Sequence, residues 1–86
     1  MIKVSAKTNP VKLARYIIKE IRDDGIEIRA AGASAVNNTI KAVIIAQKMV
    51  DRNIYVVPSF QEGKGRNDIS KVIKIIVKEK TKERRK

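Results

Sequence analysis

Ile2, Lys3, Val4 and Ser5 alternate apolar and polar, which predicts a short strand with Ile2 and Val4 on one face. The segment from Ala6 to Pro10 breaks that alternation. Asn9 before Pro10 reads as a helix N-cap with proline in the first helical position. From Val11 to Asp23 the apolar residues Val11, Ala14, Ile17, Ile18 and Ile21 recur at helical spacing. Lys12, Arg15, Lys19 and Arg22 form a basic stripe beside them. Asp24-Gly25 predicts a turn, with Gly25 available as a left-handed helix cap. Ile26, Ile28 and Ala30 then mark one face of a second strand.

A second helix is predicted from Val36 to about Val50. It is apolar on two sides. Val36, Ile40, Val43, Ile44 and Val50 make one face, and Ala42, Ile45, Ala46 and Met49 lie roughly opposite. Such a helix is covered on two sides, one by its own sheet and one by a second copy of the chain. Asn38, Ala42, Ile45 and Met49 are the expected dimer contacts. After Asp51-Arg52-Asn53, the run IYVVPSF predicts a third strand, placed at a sheet edge because Pro58 donates no ladder hydrogen bond. Residues 61–68, QEGKGRND, predict a hairpin tip. SKVIKIIVKE predicts a fourth strand, with Ile73, Ile75 and Val77 on one face and Val72, Lys74, Ile76 and Lys78 on the other.

The predicted order is therefore βαβαββ. This is an α+β fold: a two-layer sandwich with a mixed four-stranded sheet and both helices on one face. Lys3, Arg29, Lys74 and Lys78 fall on the sheet face without helices. Residues 1–79 form one domain, and 80–86 a basic, flexible tail.

Composition changes this picture in two ways. The chain has 86 residues, and a core that small gains from oligomerisation. Its 20 Lys and Arg against 9 Asp and Glu give a net charge of +11, a surplus that favours polyanions, nucleic acid first. The plainer reading is a lysine-rich solubilising surface. Cysteine and histidine are absent, which excludes disulfides, thiol nucleophiles, ordinary zinc sites and histidine acid–base chemistry. No apolar run approaches a membrane span, and MIKVSAK turns polar too early for a signal peptide. A cytoplasmic protein is expected.

The stretch AAGASAVNNTIKA, residues 30–42, is the candidate for phosphate chemistry. Gly32, Ala33, Ser34 and Ala35 permit close approach to backbone N–H groups at a helix start. Only one glycine is present, so neither GxGxxG nor GxxxxGK[ST] is formed. The simpler reading is a strand-to-helix turn, with Gly32 in an unusual backbone angle and Ser34 capping the helix. Asp23, Asp24, Glu27 and Asp51 sit near turns without a histidine, cysteine or activated serine, so catalysis is not expected. The basic residues carry more. Lys7 follows the first strand, Lys12 and Arg15 open the first helix, and Lys64 and Arg66 cap the hairpin. The turns after two parallel strands emerge at one end of a sheet, where several cations can meet a phosphate backbone. Tyr16, Tyr55 and Phe60 are too few for an extended stacking platform.

KVSAK at residues 3–7, AxGAxAxNxxxKAxxIA across 30–46, VPSF at 57–60 and the closing VIKIIV occur in the order and spacing of a known family. The chain resembles the stage V sporulation protein S family of bacteria, whose VPSF position commonly reads PAF. The resemblance implies an Alba-like fold, the βαβαββ sandwich shared with archaeal chromatin proteins. Those proteins are similar in using the first turn, the second strand–helix turn and the long hairpin on duplex nucleic acid, as dimers. By that analogy Lys7, Lys12, Arg15, Gly32, Ser34, Asn37, Lys64 and Arg66 are the expected nucleic-acid contacts. The usual basic pair of the first turn is reduced here to Lys7 with Thr8 and Asn9, and the hairpin is short. The family is linked to spore formation, though members occur in bacteria that do not sporulate.

The leading expectation is a non-enzymatic, dimeric nucleic-acid-binding protein with a regulatory or nucleoid role, DNA favoured over RNA. No cofactor, metal or membrane is expected to take part. The alternative is an assembly module whose partner is another protein. A small-anion site at Gly32 to Asn37 is a third reading.

Overall fold

The computed structural model describes residues 1–22, 24–60 and 72–80. Six elements follow in the predicted order: β1 (Ile2–Val4), α1 (Pro10–Glu20), β2 (Ile26–Ala31), α2 (Ala33–Val50), β3 (Ile54–Phe60) and β4 (Val72–Glu79). The sheet order is β1-β2-β4-β3. β1 pairs with β2 in parallel, and β4 runs antiparallel to both its neighbours. β3 thus lies at an edge, as expected for a strand that contains Pro58. The expected hairpin tip and the last six residues lie outside the described residues.

Alternation decides which strand residues are buried. Val4, Ile26, Ile28, Ala30, Ile54, Ile75 and Val77 all face the helices and are buried. Register aligns them across the sheet: Ile2 opposite Ile28, and Ile28 opposite Ile75. Leu13, Ala14, Ile17 and Ile21 close the core from α1. Ile17 and Ile28 have no exposed surface, and burying each contributes roughly 1.5–3 kcal/mol. Ile28→Asp would place an unpaired charge at the centre of this layer.

α2 differs from α1 in what it buries. Its inner stripe is Ala35, Thr39, Ala42, Val43 and Ala46. Small side chains along that stripe let α2 lie close to the sheet and to α1. Thr39 is the one polar member, and its hydroxyl donates to the Ala35 carbonyl at 2.9 Å, so it is buried without an open donor.

Three boundaries differ from the expectation. α1 ends at Glu20, because Ile21 is extended and its N–H still reaches the Ile17 carbonyl. Asp23 lies outside the described residues. Gly25 is not the cap of α1: it enters β2 with a φ of 87°, packed so closely that a Cβ would sit 2.8 Å from the Val77 carbonyl oxygen. α2 begins at Ala33, with Gly32 at the N-cap and Ser34 already inside the first turn. A glycine with φ 93° and ψ 163° occupies backbone space that other residues rarely enter, so the strand can turn directly into the helix. Ser34 therefore does not cap.

Candidate nucleic-acid interface

The turn after β1 is held by its own side chains. Thr8 Oγ1 accepts from Ser5 N–H at 2.9 Å, and Ser5 Oγ accepts from Lys7 N–H at 3.1 Å. Thr8 N–H donates back to the Ser5 carbonyl. Asn9 then caps α1, accepting from Val11 N–H at 2.8 Å and Lys12 N–H at 3.2 Å. Lys7 thus projects from a fixed turn, and its side chain is exposed.

Asn38 ties this turn to α2. Its side-chain amide donates to the Ser5 carbonyl at 3.2 Å and to the Ala6 carbonyl at 3.1 Å. The expected dimer contact is therefore turned inward, onto the first loop. The consequence is that Lys7, Gly32, Ser34 and Asn37 share one end of the molecule, here called the loop end. Lys12 joins them from the first turn of α1, and Arg15 stands halfway along that helix; both are exposed. Lys64 and Arg66 lie outside the described residues. Lys41, halfway along α2, was not among the expected contacts. It is exposed, four residues after Asn37 and seven after Ser34, hence on the same helical stripe. That spacing was readable in advance.

The described acidic residues are elsewhere. Among the described residues, Glu20 ends α1, Asp24 lies in the turn before β2, and Glu27 is the second residue of β2. Asp51 caps the end of α2, and Glu79 ends β4. All five belong to the opposite end, here called the return end. The ion pairs Arg29–Glu27 at 2.8 Å and Arg52–Glu79 at 2.9 Å involve no loop-end cation. Both helices begin at the loop end, and neither has an acidic residue in its first turn. The N-cap of α2, Gly32, supplies no side-chain hydrogen bond, so its first N–H groups have no partner within the helix. The positive helix ends add to the lysines rather than being cancelled.

The family model described as stage V sporulation protein S (SpoVS) matches residues 1–80. The chain belongs to this family. Membership suggests a sporulation-related role, and the βαβαββ order is consistent with the Alba-like architecture.

This SpoVS-family chain also leaves an apolar surface uncovered, though not the expected one. Ala42 has no exposed surface, and Ile45 is half-buried against the core. Asn38, Ile45 and Met49 lie on the flank of α2 facing α1, and of these Met49 alone is exposed. The opposite flank is more open: Ile40 is 37% and Ile44 48% exposed. It overhangs β3, since Gln47 on the same flank donates its amide to the Ile54 carbonyl. Beyond it, Pro58 and Phe60 occupy the helix side of β3, and Phe60 is 70% exposed. Periodicity found two apolar flanks; which one α1 covers is decided by packing.

A cavity of about 620 Å³ opens at the return end, lined by Gln47, Asn53, Ile54, Tyr55 and Lys80. Its Gln47 amide is committed to the Ile54 carbonyl, and its lining brings no group of charges together. Among the described residues, no helix is long and apolar enough to cross a membrane.

Proposed function

We propose that the chain is a non-enzymatic nucleic-acid-binding protein that grips the phosphate backbone of DNA with its loop end. The carrying observation is where the described acids fall, since cations occur at both ends. The loop end presents Lys7 and Lys12 beside the Asn9-capped start of α1 and the uncapped start of α2, Arg15 and Lys41 stand exposed halfway along their helices, and the described carboxylates belong to the return end. Lysines and N–H groups of this kind position a phosphate backbone without reading bases. Ser34 and Asn37 supply neutral donors beside them. In a family tied to sporulation, such a protein would act by coating or organising DNA rather than by chemistry on it.

Mobility shifts of a duplex over a salt series test this reading. Affinity should fall steeply as salt rises, by a log–log slope of about 0.9 per phosphate contacted. A chain that binds no duplex at low salt does not have this function.

The working unit is a dimer. Ile40, Ile44, Pro58 and Phe60 form an apolar surface along the β3 edge, and a two-fold pairing would cover it on both copies. Ile44→Glu should leave the circular dichroism of the chain intact and halve its mass in light scattering. An unchanged mass would favour the reading of this surface as a docking site for a different protein.

A further inference from the structure

The sheet face turned away from the helices carries a second basic surface, distinct from the loop end. Register places Lys3, Arg29 and Lys74 side by side across β1, β2 and β4. With strands about 4.8 Å apart, this row spans roughly 10 Å. Lys78, four residues further along β4, stands opposite Tyr55 of β3 and begins a second row. Between the rows lies a third, in which Ile76 stands between Val57 of β3 and Glu27 of β2. Tyr55 is 45% and Val57 47% exposed. Toward β3 the open face is therefore a short apolar strip with one aromatic ring, flanked by cations and closed on the β2 side by Glu27.

Glu27 is the acidic residue on this face among the described residues. Its carboxylate accepts from Arg29 Nε at 2.8 Å, which uses one of five guanidinium donors. Lys3 and Arg29 also line a cavity of about 400 Å³ with Val4, Ala31 and Val72. That volume is within the range of small-ligand sites. The cavity adjoins the basic row because the same two residues belong to both.

We infer that this open face binds a single strand of nucleic acid. Phosphates lie along Lys3, Arg29 and Lys74 and return to Lys78. One base lies over Tyr55, Val57 and Ile76. Charge selects this occupant. A second copy of the chain would bring its own cationic rows against these, so self-stacking of the face is opposed. An acidic peptide would satisfy the lysines and leave the apolar strip without a partner. A duplex keeps its bases stacked inside and has no flat apolar group to offer. One stacking position with backbone cations predicts modest affinity and little sequence preference. This inference does not rest on the loop-end reading, and either surface can exist without the other.

The test uses the full chain and a short fluorescein-labelled oligothymidylate, read by anisotropy, beside a duplex of equal length. Lys74→Glu, with Lys74→Gln as the milder variant should the reversal perturb folding, is expected to weaken oligothymidylate binding about ten-fold. The salt slope for the single strand should fall by about 0.7 per phosphate contact removed. Duplex binding should stay within two-fold. Tyr55→Ala should weaken the single strand about ten-fold as well. Because Tyr16 and Tyr55 are the two tyrosines, Tyr16→Phe leaves Tyr55 as the sole tyrosine emitter, unlabelled oligothymidylate should quench it, and a polyglutamate should not. Undiminished binding by both Lys74 variants, or Tyr55 emission indifferent to the strand, overturns the inference. So does loss of single-strand binding in a Lys7→Glu, Lys12→Glu variant alone, which would move the strand to the loop end. Tighter binding of polyglutamate than of oligothymidylate would instead assign the face to an acidic protein. Absence of duplex binding with single-strand binding intact would remove the loop-end reading and leave this one standing.

Discussion

The two ends of the molecule treat the helix dipole differently. At the return end, Lys19 and Lys48 stand in the last turns of α1 and α2, as helix stability favours. Yet Glu20 ends α1 and Asp51 caps α2, with Asp51 in the left-handed region at φ 52°. At the loop end the stabilising acid is missing from both first turns. Acids thus occur where the dipole disfavours them and are absent where it favours them. Helix stability does not account for this pattern. First turns without an acid fit the proposed binding of an external anion at this end.

The ends also use glycine differently, and this difference gives the largest expected effect. Gly25 and Gly32 both have positive φ, but a Cβ on Gly25 would meet the Val77 carbonyl at 2.8 Å, while one on Gly32 would meet nothing within 4 Å. Gly25→Ala should cost about 3 kcal/mol or more in urea unfolding, because backbone strain adds to a clash that neither strand can relieve. Gly32→Ala should cost only the strain, roughly 1–3 kcal/mol. Equal losses at the two positions would mean that crowding is not what separates them.

Next in size is the charge contrast itself. Lys7→Glu with Lys12→Glu should weaken duplex binding about thirty-fold at low salt, and the exposed return-end Lys48→Glu by about two-fold. Equal losses at both ends would reduce the loop end to a share of the net charge.

Asn38→Ala should cost about 1–2 kcal/mol, since two carbonyls of the first turn lose their donor together. Amide exchange should quicken first at Lys7 and Thr8. If those amides keep their protection, the turn holds without α2. The smallest effect is the most diagnostic. Ser34→Glu supplies the missing first-turn acid and should raise stability by about 0.3–1 kcal/mol while weakening duplex binding several-fold. A variant that is stabilised and binds as before would separate the bare helix start from the site.

Much of this was open to reading along the chain. The strands follow from period-two alternation, and edge placement of β3 follows from Pro58 alone. The Asn9-Pro10 cap of α1 was readable because capping is local chemistry. The cap of α2 was misplaced because two residues competed: Ser34 has the side chain, but the backbone angle before the helix can be met only by Gly32. Lys7, Ser34 and Asn37 were recognisable as one group because parallel neighbouring strands end together. Lys41 shares the stripe of Asn37 by spacing alone, but stands halfway along the helix.

What the chain determines by itself is therefore what depends on neighbours a few residues apart: periodicity, caps, turn residues, total charge and, through its motifs, the SpoVS family. Only the tertiary structure decides which of two similar apolar flanks is covered. Ala42 and Ile45 could have faced a partner, and Ile40 and Ile44 the core, until α1 packed on one side. It also decides that Asn38 bonds a loop more than thirty residues away in sequence, and that lysines from three strands form one row. Those outcomes depend on register and helix rotation. They are set by the summed packing of many residues, and no local pattern carries them.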